Sequence, residues 1–166
     1  MSLLEVENLW VRFPTRQGIF DAVRGVSFAL ERERLGIVGE SGSGKSMTGR
    51  AILRLIRKPG IVESDAIRLE GRNLLELSEP EMRKVRGQKI SMVMQDPKFS
   101  LNPVMTIGDQ IMESYLLHNS TSKAQARAKA IAMLEAVSIR DPERVMRAYP
   151  HEMSGGMGQR IMIAMM

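Results

Sequence analysis

The chain has 166 residues, 43% of them hydrophobic and 26% charged, which suits one folded domain with a real core. It has no cysteine, which excludes a disulfide framework and thiolate metal sites. No apolar run approaches the roughly 20 residues of a membrane span, and no charged-then-apolar leader opens the chain. The net charge is +5, but Lys and Arg are scattered and aromatics are only 4%. That pattern reads as a solvated basic surface, not a base-stacking nucleic-acid platform. The fourteen methionines read as core filling.

Taken in order, residues 3–13 alternate loosely, with Leu4, Val6 and Val11 set among Glu5, Glu7 and Arg12. This predicts a half-buried strand. Residues 14–18 form a turn, and 22–30 a second strand paired with the first as a hairpin. The charged residues 31–34 lead into an apolar run, 35–38, which reads as a buried strand.

Next comes Gly39-Glu40-Ser41-Gly42-Ser43-Gly44-Lys45-Ser46, which fits G-x-x-x-x-G-K-[ST], the phosphate-binding P-loop. The glycines let the backbone wrap closely round a phosphate. The inward amides make an anion-binding nest. Lys45 then reaches the β- and γ-phosphates, and the Ser46 hydroxyl is placed for Mg²⁺. Ala51, Ile52, Leu55 and Ile56 recur at helical spacing after the loop, so a helix is predicted over 45–56. Its N-terminus adds positive partial charge to the anion site. The bland alternative, a Gly/Ser-rich surface turn, does not account for the strand, the Lys-Ser pair and the helix together.

Pro59-Gly60 marks the end of that helix. A short strand is predicted over 66–70, a turn over 71–73, and a short helix over 78–85 with Ser78 as cap and Glu81 at the third position after it. Residues 89–94 read as another buried strand, running into the turn Gln95-Asp96-Pro97. Three helices follow, over 106–118, 122–137 and 141–148. In the second, Ala124, Ala128, Ile131, Leu134 and Val137 are expected on one apolar face. Residues 161–166 read as the first turns of a further helix.

Four stretches together resemble the ATP-binding subunits of ABC transporters, in the oligopeptide, dipeptide and nickel importer branch. They are the P-loop, the Q-loop-like region from Val93-Met94-Gln95-Asp96-Pro97 through Gln110, the signature-like run Tyr149 through Arg160 with Ser154-Gly155-Gly156-Met157 at its centre, and the opening β segment. The resemblance implies an α/β P-loop NTPase core with an N-terminal antiparallel β subdomain (1–34), a core through the Q-loop (35–97), a helical subdomain (98–153) and the signature with the start of its helix (154–166).

It also implies a mechanism. Two such subunits, identical or different, sandwich two ATP molecules, and each signature motif closes over the partner's ATP through Ser154, Gly155, Gly156 and Met157. Gln95 touches Mg²⁺ and the attacking water. Phe13 stacks on adenine, with Phe20 as the other candidate and a β-core role as the plain alternative for either. The implied partners are a second ATPase subunit, membrane permease subunits and, indirectly, an extracytoplasmic solute-binding protein, with no nucleic acid. The implied place is the cytoplasmic face of the inner membrane, held peripherally.

In the family the signature helix is followed by a strand ending Asp-Glu, then by further loops carrying an Asp and a His. None of these lies within the 166 residues, so the C-terminal part of the sheet is expected to be missing, with a strand edge exposed and hydrolysis deficient. Asp96 is not a substitute for the missing acid, because Gln95-Asp96-Pro97 matches the Q-loop. Gly158 stands where an Arg is usual, and Glu31-Arg32-Glu33-Arg34 replaces a Gly-containing turn. Two other readings remain: a remnant without function of its own, and an ABC ATPase working on DNA or ribosomes. The latter usually carries two cassettes or a long coiled-coil insert, and this chain has neither.

Overall fold

Two long strands open the chain in the computed structural model, which describes residues 2–94 and 100–166. β1 (Leu4–Thr15) and β2 (Gly18–Leu30) pair antiparallel through the two-residue turn Arg16-Gln17. β1 is the hub of a five-stranded sheet, because β3 (Ile61–Glu63) and β4 (Ala66–Leu69) both pair with it antiparallel. β5 (Arg72–Asn73) closes a hairpin with β4 through Glu70 and Gly71, both at positive φ, as a type I′ turn requires. The predicted turn over 71–73 thus sits one residue earlier. Leu4, Val6, Leu9 and Val11 of β1 are buried with Val23, Ala66 and Ile67.

By contact pattern the chain divides into two compact units, residues 1–83 and 84–166. In the first unit α1 (Lys45–Ile52) lies against β1 and β2. It ends four residues before the predicted boundary, for a local reason. Arg54 takes the left-handed conformation (φ 54), its N–H donates to the Ala51 carbonyl, and the Leu55 N–H donates to the Arg50 carbonyl. This is a Schellman stop with arginine in place of glycine. The Arg54 guanidinium then donates to the carbonyls of Leu74 (3.1 Å) and Leu77 (2.6 Å), which hold the turn.

Neither predicted buried strand, 35–38 or 89–94, forms among the described residues. Residues 35–38 lie outside any strand, with Val38 96% exposed and Ile37 51%. A strand draws its backbone hydrogen bonds from neighbouring strands, and no described strand pairs with 35–38. Residues 89–94 likewise form only a single bridge, Arg86 to Ile90, in the turn that follows α2 (Glu79–Val85).

The second unit is helical. α3 (Ile107–His118), α4 (Lys123–Ala136), α5 (Pro142–Arg147) and α6 (Gly155–Ala164) enclose a core of Ile107, Ile111, Leu134, Ile139, Val145 and Ile161. Each begins at a side-chain cap: Thr106, Ser122, Asp141 and Ser154 accept from the N–H three residues on. Gly108 is needed where α3 meets α5, since a Cβ there would lie 2.5 Å from the Met146 carbonyl. The buried face of α4 is Ala126, Ala130 and Leu134. Ala124 and Ala128, expected inside, face solvent. Alanine carries too little apolar surface to distinguish the two stripes by sequence. α6 starts six residues before the predicted turns.

Candidate nucleotide-binding site

The P-loop lies in the first unit, between the unpaired segment 35–38 and α1. Its fit to a phosphate can be tested on its glycines. Gly44, the residue before α1, sits at φ 93, and a Cβ on it would lie 2.4 Å from the Ala22 carbonyl oxygen of β2. Loop and strand are therefore in backbone contact, and only glycine fits. A Cβ on Gly39 would meet the Ser43 hydroxyl at 2.6 Å, so the loop is also tight on itself. Gly42 has positive φ and opens to free space. The result is a tight backbone cradle of the kind that surrounds a phosphate.

Lys45 folds back over this cradle. Its Nζ donates to the carbonyls of Gly39 and Glu40, both at 2.6 Å, and to Ser43 Oγ at 3.3 Å. Those contacts hold the ammonium over the loop. Ser46 is exposed, and its hydroxyl makes no hydrogen bond among the described residues, so its oxygen is available to a hard cation. Ser41 is exposed in the turn. Thr48, absent from the sequence reading, is buried and donates to the Gly44 carbonyl at 3.1 Å. It ties the loop to the first turn of α1, and its position four residues after Gly44 was the available signal.

A cavity of about 470 Å³ opens beside the cradle, lined by Phe20, Asp21, Ala22, Arg24, Gly42 and Ser43, among others. Phe13 and Phe20 are direct cross-strand partners. Phe20 is 55% exposed and lines the cavity. Phe13 is half-buried, and its ring would lie 2.8 Å from a Cβ placed on Gly60. Gln95 and Asp96 fall outside the described residues.

In the second unit, Ser154 caps α6 and accepts from the Met157 N–H at 3.4 Å. Gly155 and Gly156 are exposed, and an added Cβ on either would meet nothing within 4 Å. Nothing among the described residues demands glycine at those two positions. Met157 is half-buried and packs on the helical core. Ahead of the motif the Tyr149 N–H donates to Glu152 (2.6 Å), and the rings of Tyr149 and His151 stack 5.8 Å apart. Gln110 is buried at the end of the Q-loop-like region. It donates to the carbonyls of Asn102 (3.0 Å) and Met105 (3.1 Å) and accepts from the Asn102 N–H (2.8 Å), which fixes the entry to α3.

A phosphate cradle between an apolar segment and a helix, with an antiparallel sheet on one side and a helical unit following, defines a P-loop nucleotide-binding protein of the cassette type. Residues 23–166 match the sequence profile of the ABC transporter family, and the chain belongs to that family. It is 50% identical over 165 residues to the oligopeptide transport ATP-binding protein OppD of Bacillus subtilis (strain 168), covering 98% of this chain and 46% of that protein. It is 47% identical over 171 residues to the glutathione import ATP-binding protein GsiA of Escherichia coli O1:K1 / APEC, covering 99% of this chain and 27% of that one. The chain thus spans about half or less of the curated relatives it matches. Its fold is that of MJ0796, a bacterial ABC transporter cassette solved as a dimer (TM-score 0.78, 24% identity, 98% of this chain and 68% of that one).

Proposed function

We propose that this chain is an ATP-binding subunit of an ABC importer, coupling ATP binding and hydrolysis to uptake of peptides or a similar small solute. The observation that carries the reading is the cradle at Gly39–Ser46, tight enough at Gly44 to exclude a methyl group. The half-identity to oligopeptide transport proteins supports the choice of solute class.

In this reading the loop amides donate to phosphate oxygens, and Lys45 exchanges its carbonyl partners for β- and γ-phosphate oxygens. Ser46, with Gln95, would hold Mg²⁺, which would supply positive charge to the phosphate oxygens. Phe13 and Phe20, opposite each other on the hairpin, offer the aromatic surface for the base, and Phe20 lines the cavity. Ser154, Gly155, Gly156 and Met157 meet the nucleotide held by a second cassette. The open space at both glycines leaves room for that approach. Permease subunits at the cytoplasmic face of the membrane are the further partners, with a solute-binding protein acting through them. No helix among the described residues is long and apolar enough to cross a membrane.

Phosphoryl transfer needs an acid that orients water, and the 166 residues contain no strand ending Asp-Glu after the signature. We therefore expect these residues by themselves to bind ATP and to hydrolyse little or none. Displacement of a fluorescent ATP analogue, run alongside phosphate release, tests both parts. The expected result is displacement by ATP and ADP with phosphate release at the level of Lys45→Ala. Analogue that is not displaced by ATP would overturn the binding claim, and release well above Lys45→Ala would overturn the second.

A further inference from the structure

The cavity beside the cradle carries a cation that the P-loop motif does not include. Arg24 of β2 lines it together with Gly42 and Ser43. We propose that Arg24 is a second cation for the nucleotide's phosphate chain, alongside Lys45; this rests on the reading of the P-loop as an ATP site.

Three observations carry it. The first is a bulge. Leu9 pairs with Val26 and Val11 with Val23, so two steps along β1 face three along β2. The extra residue falls at Arg24-Gly25, and Gly25 takes φ 58. Such a bulge bends the strand and re-aims the side chain beside it. The second is position. Ala22, two residues before Arg24, gives the carbonyl that touches Gly44, so the strand carrying Arg24 is fixed against the loop. The third is charge. The cavity's one lining carboxylate, Asp21, is engaged by the Arg12 guanidinium at 3.3 Å. Arg12 is itself paired with Glu63 and lies over the Trp10 ring. Arg24 is exposed and makes no hydrogen bond or ion pair among the described residues. A guanidinium with free donors on the rim of a phosphate cradle matches the forked geometry of phosphate oxygens.

The test measures ATP and ADP affinity for the wild-type chain, Arg24→Gln, Arg24→Lys and Arg16→Gln, at low and at moderate ionic strength. Arg16 is an exposed turn residue outside the cavity and serves as the control. Arg24→Gln should weaken ATP by about 3- to 10-fold, Arg24→Lys by less, and Arg16→Gln not at all. The loss should be greatest at low salt and should flatten the salt dependence. ATP affinity equal to wild type in Arg24→Gln, or an unchanged salt slope, would overturn the proposal while leaving the P-loop reading in place. A wild-type chain that binds no ATP, or a Lys45→Ala chain that binds as well as wild type, marks failure of the P-loop reading itself and takes this proposal with it.

Discussion

At Gly44 two separate demands fall on one residue: a left-handed backbone and a strand carbonyl where a side chain would be. Gly44→Ala should therefore abolish nucleotide binding and cost about 1–3 kcal/mol of stability as the loop is pushed off β2. Gly42→Ala meets only the backbone penalty of about 1–2 kcal/mol and should keep the fold. Thermal melts of the two variants check the difference; equal losses would mean that the contact with Ala22 is not structural. Ser78 and Glu81 give a second residue-scale case. The Ser78 hydroxyl (2.7 Å) and then its N–H (2.9 Å) donate to Glu81, which holds this carboxyl below its ordinary range. A lowered carboxyl stabilises the fold above its unfolded pKa of about 4.3 and loses that contribution as pH falls through the folded value. The stability gap between wild type and Glu81→Gln should thus be present at neutral pH and close in acid. A gap that is constant with pH would contradict the assignment.

Element ends show what was legible in the chain and what was not. Thr106, Ser122 and Asp141 each mark a helix start through chemistry that acts within three residues, so sequence suffices to place them. Ser154 caps α6 in the same way, but Gly155, Gly156 and Gly158 after it weaken the helical pattern, and the apolar run alone sets the start six residues late. Residues 35–38 and 89–94 carry apolar runs with strand character, yet a strand exists only when another supplies its ladder. That condition is not written in the run itself. The two aromatic candidates stand between these cases: the alternation predicted strands, but the register that sets Phe13 opposite Phe20 depends on the turn, which proved two residues long. The cradle was readable because it is local and contiguous. Arg24 was not, because its placement comes from a bulge across two strands. The end of α4 repeats the stop seen at α1: Ser138 is left-handed (φ 60), its N–H donates to the Glu135 carbonyl, and the Ile139 N–H donates to the Leu134 carbonyl. Glycine is the residue this position favours. Ser138→Gly should raise stability by about 0.5–1 kcal/mol, read from a denaturant midpoint; a lowered midpoint would show that the serine side chain contributes there.

For the whole molecule, the exposed apolar groups of Leu35, Ile37 and Val38 lie next to the cradle on a segment with no strand partner among the described residues. Unpaired apolar backbone of this kind is a template for association. The chain alone should self-associate at rising concentration, and Val38→Lys should reduce this, as followed by light scattering. A monodisperse wild-type chain with a single cooperative melt would contradict that account. Association and nucleotide binding are separable, because the contacts that shape the cradle come from β2 and α1, not from residues 35–38. The central claim is that this cradle binds ATP with Mg²⁺, and titration calorimetry on the soluble chain beside Lys45→Ala tests it most directly. The account predicts saturable heat that is lost in the variant. No heat from a soluble, folded wild-type chain, or equal heat from both proteins, would contradict it.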